Sequence, residues 1–239
     1  TVMFINWSFD ELYKITGGSN KTYCHEPLRI NGLSIDTRNI KKGNLFCALK
    51  GENHDGHDFL LQAYRNGASS FLLSDIKKNM PNLPTIKVKN VLKALEKIAR
   101  KTRKTVDARF IGITGSVGKT GTKEMIKSAL GNVGKVFANK GNLNNHIGVP
   151  LSLSNLPHDS DYCILEMGMN KRGEIKELSR LVSPEVGIIT AIENSHLKKL
   201  KTLENVLEAK SEIIENIKKD GCFIYNADTN YSSRLRNKA

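Results

Sequence analysis

Aromatic residues are scarce in this chain, 6% of 239 residues with Trp7 as the single tryptophan. Proteins that hold single-stranded nucleic acid by stacking bases need a set of surface rings, and this sequence offers few. Cysteine is equally thin. Cys24, Cys47, Cys163 and Cys222 lie far apart, with no C-x-x-C pair and no Cys/His ligand spacing. That excludes a zinc finger and a disulfide scaffold and leaves reduced, mostly buried thiols of a cytosolic protein. No apolar run approaches the ~18–20 residues that cross a bilayer, and no basic, apolar and small-residue segments open the chain as a secretory leader would. A cytoplasmic location without membrane insertion is therefore expected. Hydrophobic residues at 39%, charged residues at 26% and a mean hydropathy of −0.36 describe a soluble globular chain.

Acidic residues are also in deficit. Residues 84–239 hold 27 Lys+Arg against 16 Asp+Glu, net +11, whereas residues 1–83 hold 10 against 8, net +2, together the +13 of the whole chain. Such an excess seeks anions. A run at Lys97, Arg100, Lys101, Arg103 and Lys104 would suit a nucleic-acid module, but no recognition motif accompanies it. A solvated helix face is the better reading, so no nucleic acid is expected as a partner.

The order of patterns argues an α/β protein. Ser8-Phe9-Asp10-Glu11 is a capping box for a helix that Gly17-Gly18 ends. Strands are predicted at 33–36, 45–49 and 70–74, and a helix at 58–66. Two prolines in Met80-Pro81-Asn82-Leu83-Pro84 mark a linker. Asn90 caps a predicted helix over 91–105. Strands at 110–114, 135–138, 162–166, 186–192 and 222–226 then alternate with helices at 119–130, 173–181 and 203–218. Continuous apolar strands alternating with helices imply a parallel sheet covered on both faces. The expected division is a small α/β domain at 1–83 and a P-loop parallel-sheet domain, incomplete, at 84–239.

Gly115-Ser116-Val117-Gly118-Lys119-Thr120 sits between a predicted strand and a predicted helix. Glycines there let backbone N–H groups and the helix N-terminus face phosphate oxygens. Lys119 would neutralise the terminal phosphates and the Thr120 hydroxyl would ligate Mg²⁺. Position 113 is Ile, so the loop is the shorter G-[ST]-x-G-K-T form. The plainer alternative is a glycine-rich turn with an exposed lysine.

This loop, with Lys123-Glu124-Met125 behind it, resembles the ATP loop of the Mur ligases, which build the peptide stem of bacterial cell-wall precursors. Further segments resemble the family in its own order: Asp36-Thr37-Arg38, 43–51, Asp55-Gly56-His57-Asp58-Phe59, Gly141-Asn142-Leu143-Asn144-Asn145, Ile147-Gly148-Val149-Pro150, Leu165-Glu166-Met167-Gly168, Ser195-His196-Leu197, 209–213 and Asn226-Ala227-Asp228. Lys-Glu after the loop points to the branch that adds D-alanyl-D-alanine to UDP-N-acetylmuramoyl-tripeptide. The resemblance implies ATP-dependent amide ligation through an acyl phosphate, with Mg²⁺ as cofactor. It also implies that the rest of the ATP domain and a C-terminal domain are missing. The chain is then a truncated or split ligase that binds nucleotide without turnover alone, or one that a separate chain completes.

Site roles follow from the resemblance residue by residue. Gly115, Ser116, Val117, Gly118, Lys119, Thr120, Gly121, Asn145 and Asn226 would bind ATP. Thr120, Glu166 and His196 would hold the metal, and Lys119, His196 and Lys210 would serve catalysis, Lys210 as a carbamylated lysine. Thr37, Arg38, Asp55 and His57 would bind the nucleotide sugar. Plainer readings stand beside each: a solvated strand-end acid for Glu166, a loop histidine for His196, a helix-surface lysine for Lys210, loop punctuation for Asn142, Asn144 and Asn145, an ion pair of Arg38 with Asp36, a turn and cap for Asp55 and His57. The chain departs from the family pattern at Gly121, His146 and Thr229.

Overall fold

A computed structural model describes residues 7–21, 27–193 and 202–239. The expected His196 site, its flanking lysines and Cys24 lie outside the described residues.

The chain divides into two compact units, Thr1–Thr105 with Leu153–His158, and Val106–Ser152 with Asp159–Ala239. In the first, strand β1 (Trp7–Ser8) leads into helix α1 (Phe9–Thr16). The capping box is formed: Glu11 N–H donates to Ser8 Oγ at 3.1 Å, and Ser8 N–H to Glu11 Oε2 at 2.9 Å. Gly17 closes the helix at φ +68°, a conformation glycine adopts without Cβ strain. Short strands β2 (Asn20–Lys21), β3 (Arg29–Ile30) and β4 (Gly32–Ser34) follow, then β5 (Asn44–Cys47), helix α2 (Leu60–Arg65), β6 (Ala68–Leu73) and β7 (Thr85–Lys87). A five-stranded sheet runs β2-β7-β6-β5-β4 with only β2 antiparallel to its neighbour.

The boundary expected at 83/84 falls instead after Thr105. Once past Pro81 and Pro84, the chain re-enters the same sheet: β7 pairs with β6, Leu72 opposite Ile86. Helix α3 (Val91–Thr105) then stays with this unit. Its start is the expected one, Lys93 N–H donating to Asn90 Oδ1 at 2.9 Å. Val91, Ala94, Leu95, Ile98 and Ala99 are buried, and Lys97 Nζ reaches the Thr16 carbonyl of α1 at 2.9 Å. Tertiary packing therefore outweighs the proline signal.

The second unit is a five-stranded, wholly parallel sheet. Its strands are β8 (Arg109–Thr114), β9 (Val136–Ala138), β10 (Tyr162–Glu166), β11 (Val186–Ile189) and β12 (Cys222–Tyr225), in the order β12-β11-β8-β10-β9. Helix α4 (Lys119–Leu130) sets Ile126 and Leu130 against Ile111, Ile113, Ile164 and Ile188. On the other face Gly112 lets the interior close, since a Cβ there would lie 2.8 Å from Met167 Cε. Helix α6 (Glu174–Val182) contributes buried Ile175, Leu178 and Leu181. Helix α5 (Gly148–Ser154) was not legible, because Pro150 reads as a breaker although it sits in the first turn, where no N–H is needed. Helix α7 (Leu203–Ser211) is shorter than the expected 203–218 and passes into a 3₁₀ turn at Ile214–Asn216. A last helix, α8 (Ser232–Lys238), follows β12. Cys47 and Cys163 are buried and Cys222 is exposed; burial pushes the Cys47 thiol up to about 12.

Candidate functional site

The central strand β8 delivers the glycine loop to the C-terminal edge of the sheet, where ligands of open α/β sheets bind. The end of β11 staples the loop there. Thr190 Oγ1 donates to Val117 O at 2.6 Å, Ser116 N–H to Ala191 O at 2.8 Å, and Glu193 N–H to Ser116 Oγ at 2.9 Å. A Cβ on Gly115 would stand 1.9 Å from Thr190 Oγ1, so only glycine fits. Gly118, at φ +81°, turns the chain into α4. Gly121 has open space around it: nothing lies within 4 Å of the Cβ it lacks, so the fold does not demand glycine there.

Lys119 Nζ folds back on the loop and donates to Gly115 O at 2.7 Å. Burial lowers its pKa, and the Glu166 carboxylate opposes that shift. Thr120 Oγ1 donates to Glu166 Oε2 at 2.9 Å, and Asn144 Nδ2 to Glu166 Oε1 at 2.9 Å. Glu166 is only 3% exposed, so the reading of a solvated strand-end acid does not describe it. Asn139, also buried, pins the backbone of Glu166 in both directions. Glu166 N–H donates to Asn139 Oδ1, and Asn139 Nδ2 donates to Glu166 O, each at 2.9 Å.

Oxygen donors at Thr120 and Glu166, adjacent at a phosphate loop, suit Mg²⁺, which takes one or two protein oxygens and fills its octahedron with water and phosphate. Among the described residues no group of three or more His, Cys, Asp or Glu is assembled.

Lys210 lies on α7 but is 1% exposed, which removes the surface-lysine reading. Burial foremost, then the positive charge of Lys119, depresses its pKa to about 7. Two residues on, Glu212 accepts from Gly173 N–H at 2.7 Å and Lys176 N–H at 3.0 Å, capping α6.

Other predicted residues are placed differently. Asn145 Oδ1 accepts from Ile147 N–H at 3.0 Å and Gly148 N–H at 2.9 Å, capping α5, and the residue is exposed. Asn226 follows β12, two strands from β8; its Oδ1 accepts from Asp228 N–H at 2.9 Å. In the first unit the plainer readings are realised. Arg38 Nη2 pairs with Asp36 Oδ2 at 2.7 Å while the arginine side chain stays 84% exposed. Thr37 is buried and its carbonyl accepts from Asn66 Nδ2 at 2.9 Å. His57 Nε2 faces two obligate donors, Ser74 N–H at 3.1 Å and Asp75 N–H at 3.2 Å. That nitrogen must accept, so the proton sits on Nδ1 and is donated to Asp55 Oδ1 at 2.6 Å. Both ring nitrogens are engaged within the fold, so the ligand contact expected of His57 has no nitrogen to make it. Asp55, its carboxyl held down chiefly by the His57 backbone N–H, caps the same turn.

Sequence reasoning missed Asn139, Thr190 and the part played by Lys123. An asparagine at the C-terminal end of a strand is a legible signal in this sheet class; Thr190 offered none, since its role depends on β11 lying beside β8.

Residues 113–239 match the Mur ligase middle domain, and residues 29–103 match the Mur ligase family catalytic domain. The UDP-N-acetylmuramoyl-tripeptide–D-alanyl-D-alanine ligase of Bacillus subtilis is 42% identical over 205 residues, 85% of this chain and 45% of that protein. The Rickettsia prowazekii enzyme of the same name is 39% identical over 217 residues, 91% of this chain and 47% of its own. The chain thus spans about half the length of the curated relatives it matches. Among solved structures, MurF from Acinetobacter baumannii superposes with a TM-score of 0.88 at 30% identity, over 100% of this chain and 52% of that one. MurF ligase from Thermotoga maritima in complex with ADP gives 0.75 at 30% identity, over 87% of this chain and 48% of that one.

Proposed function

This chain belongs to the Mur ligase family, and from that premise we propose that it forms the nucleotide-sugar and ATP-binding parts of a ligase joining D-alanyl-D-alanine to UDP-N-acetylmuramoyl-tripeptide in cytoplasmic peptidoglycan synthesis. The observation that carries the reading is the convergence on Glu166: the loop threonine and Asn144 both donate to a buried carboxylate, with Lys119 one residue from Thr120.

In the reaction a substrate carboxylate oxygen attacks the γ-phosphorus of ATP and ADP departs. The dipeptide amine then attacks the carbonyl carbon of the acyl phosphate, loses a proton, and expels inorganic phosphate. Both steps bring anions together, so the site must supply positive charge. Bound Mg²⁺ supplies Lewis acidity and screens phosphate charge. Thr120 and Glu166 would hold it, joined by His196. The loop N–H groups and Lys119, swung off the Gly115 carbonyl, would take the phosphates. Lys210, with a pKa of about 7, has a neutral amine available near neutral pH. Its attack on CO₂ forms an N–C bond and releases a proton, leaving a carbamate anion near Lys119. Thr37, Arg38 and Asp55 would meet the UDP-sugar, Arg38 by turning from Asp36 to the diphosphate, with His57 positioning that loop. Asn145 and Asn226 would contact the nucleotide once their capping bonds are shared.

The test is phosphate release with ATP, Mg²⁺, UDP-N-acetylmuramoyl-tripeptide and D-alanyl-D-alanine, alongside titration of ADP. The 239-residue chain, which spans about half the length of its relatives, is expected to bind Mg²⁺·ADP, with phosphate release measured for it alone and with the C-terminal half of a relative added as a second chain. Absence of ADP binding would overturn the reading.

A further inference from the structure

Helix α4 carries an inward stripe at Lys119, Lys123, Ile126 and Leu130. Its lower end is apolar, as a helix lying on a sheet requires. Yet the one residue of the helix that is fully buried is Lys123, 2% exposed. Lysine is almost never fully buried unless paired, and a methionine of similar length would fill the place without desolvating a charge. A lysine kept there breaks the local pattern, which proteins do at functional sites.

The partners of Lys123 say what it is for. Its Nζ donates to the Asn139 carbonyl at 2.9 Å and lies 3.9 Å from Glu166 Oε2 and 3.5 Å from Glu124 Oε1. Glu124 is half-exposed and shared with Lys127, so it can turn to water. Glu166 is buried and cannot. Asn139 completes the arrangement: its carbonyl fixes the ammonium, while its side chain fixes the Glu166 backbone and donates to Leu143 O at 2.8 Å. Three segments, α4, the end of β10 and the stretch that follows β9, meet at Asn139.

We propose that Lys123 and Asn139 form a brace that positions the Glu166 carboxylate for the metal ion of a bound nucleotide, with Lys123 as a positioning residue that touches neither nucleotide nor metal. This rests on the nucleotide reading above. When Thr120 turns its hydroxyl hydrogen away from Glu166 to offer oxygen to a cation, Glu166 Oε2 loses its nearest donor; Lys123, 3.9 Å away, remains beside it and holds the rotamer.

The test is calorimetric titration of ADP into the full chain, once with Mg²⁺ and once with EDTA. Lys123→Met is expected to cut the Mg²⁺-dependent gain in ADP affinity roughly tenfold or more, the size of effect typical for residues that orient a metal ligand, with the EDTA affinity within about threefold of wild type. Glu166→Gln is expected to lose the same gain, and adding Lys123→Met to it should remove nothing further. If Lys123→Met fails to fold, Lys123→Gln carries the comparison, since it can keep a donor for the Asn139 carbonyl without the charge. An unchanged gain, a larger gain, or an equal loss in both buffers overturns the brace. A wild-type chain that binds no ADP in either buffer sinks the nucleotide reading instead. Thermal unfolding of the same four variants in metal-free buffer then decides the brace: independent effects of the two substitutions overturn it.

Discussion

The two units treat their polar residues in opposite ways. In the first, Asp36 caps its own turn and pairs with Arg38, and Asp55 and His57 complete each other while His57 clamps the end of β6. Each group is satisfied by a neighbour a few residues away or by backbone. In the second, ionisable side chains are taken out of solvent: Lys123, Glu166 and Lys210 are 1–3% exposed, and the lysine of the loop folds onto loop carbonyls. Local satisfaction builds a scaffold. Charge kept at the end of a central strand against desolvation marks the place where chemistry is to happen.

The sharpest way to break this contrast is Lys119→Ala. It should lower Mg²⁺·ADP affinity by roughly a hundredfold, the scale of a lost charge-stabilising donor, and leave the thermal midpoint almost unmoved, because its hydrogen-bond partners are carbonyls of its own loop. A titration beside a melting curve checks both halves; a large drop in midpoint would make this lysine scaffold like those of the first unit. The mirror experiment is His57→Ala. Two partly buried N–H groups lose their acceptor and Asp55 its partner, so unfolding should become easier by about 1–3 kcal/mol in a urea titration, with ADP affinity unchanged.

A pH series sharpens the contrast further. The folded pKa of Lys210, about 7, lies below its ordinary 10.5. Between those values the unfolded chain binds more protons than the folded one, so this lysine makes stability rise with pH across that window and contributes no slope below it. Lys119 is shifted in the same direction. Melting curves should therefore climb less steeply with pH in Lys210→Met than in wild type, and an unchanged slope would mean that the amine is solvated. The smallest effect is expected from Arg38→Ala, whose side chain is exposed: no measurable change in thermal midpoint, but weaker binding of a UDP-sugar in a titration. A shift in midpoint with binding intact would assign Arg38 to the scaffold.

Legibility followed how local the cause was. The capping box at Ser8, the Asn90 cap and the glycine loop depend on residues within a few positions, and all form as their spacing implies. The boundary at 83/84 failed because the proline rule is local whereas the pairing of β7 with β6 is not. For Lys210 the helix pattern alone gave a surface lysine and the family resemblance a carbamylated one; packing buries it. His57 read as a ligand residue, and the fold spends both its nitrogens on itself.

By itself the sequence determined the alternating α/β order, the strand–loop–helix for phosphate and the family to which those motifs belong, because each rests on near neighbours in the chain. The tertiary structure alone decided which ionisable groups are buried, that Thr120, Asn144 and Lys123 meet at one carboxylate whose backbone Asn139 holds, and that burial pushes the Lys210 pKa down to about 7. Those facts depend on strands distant in sequence being brought edge to edge, and on the low dielectric that packing creates around them.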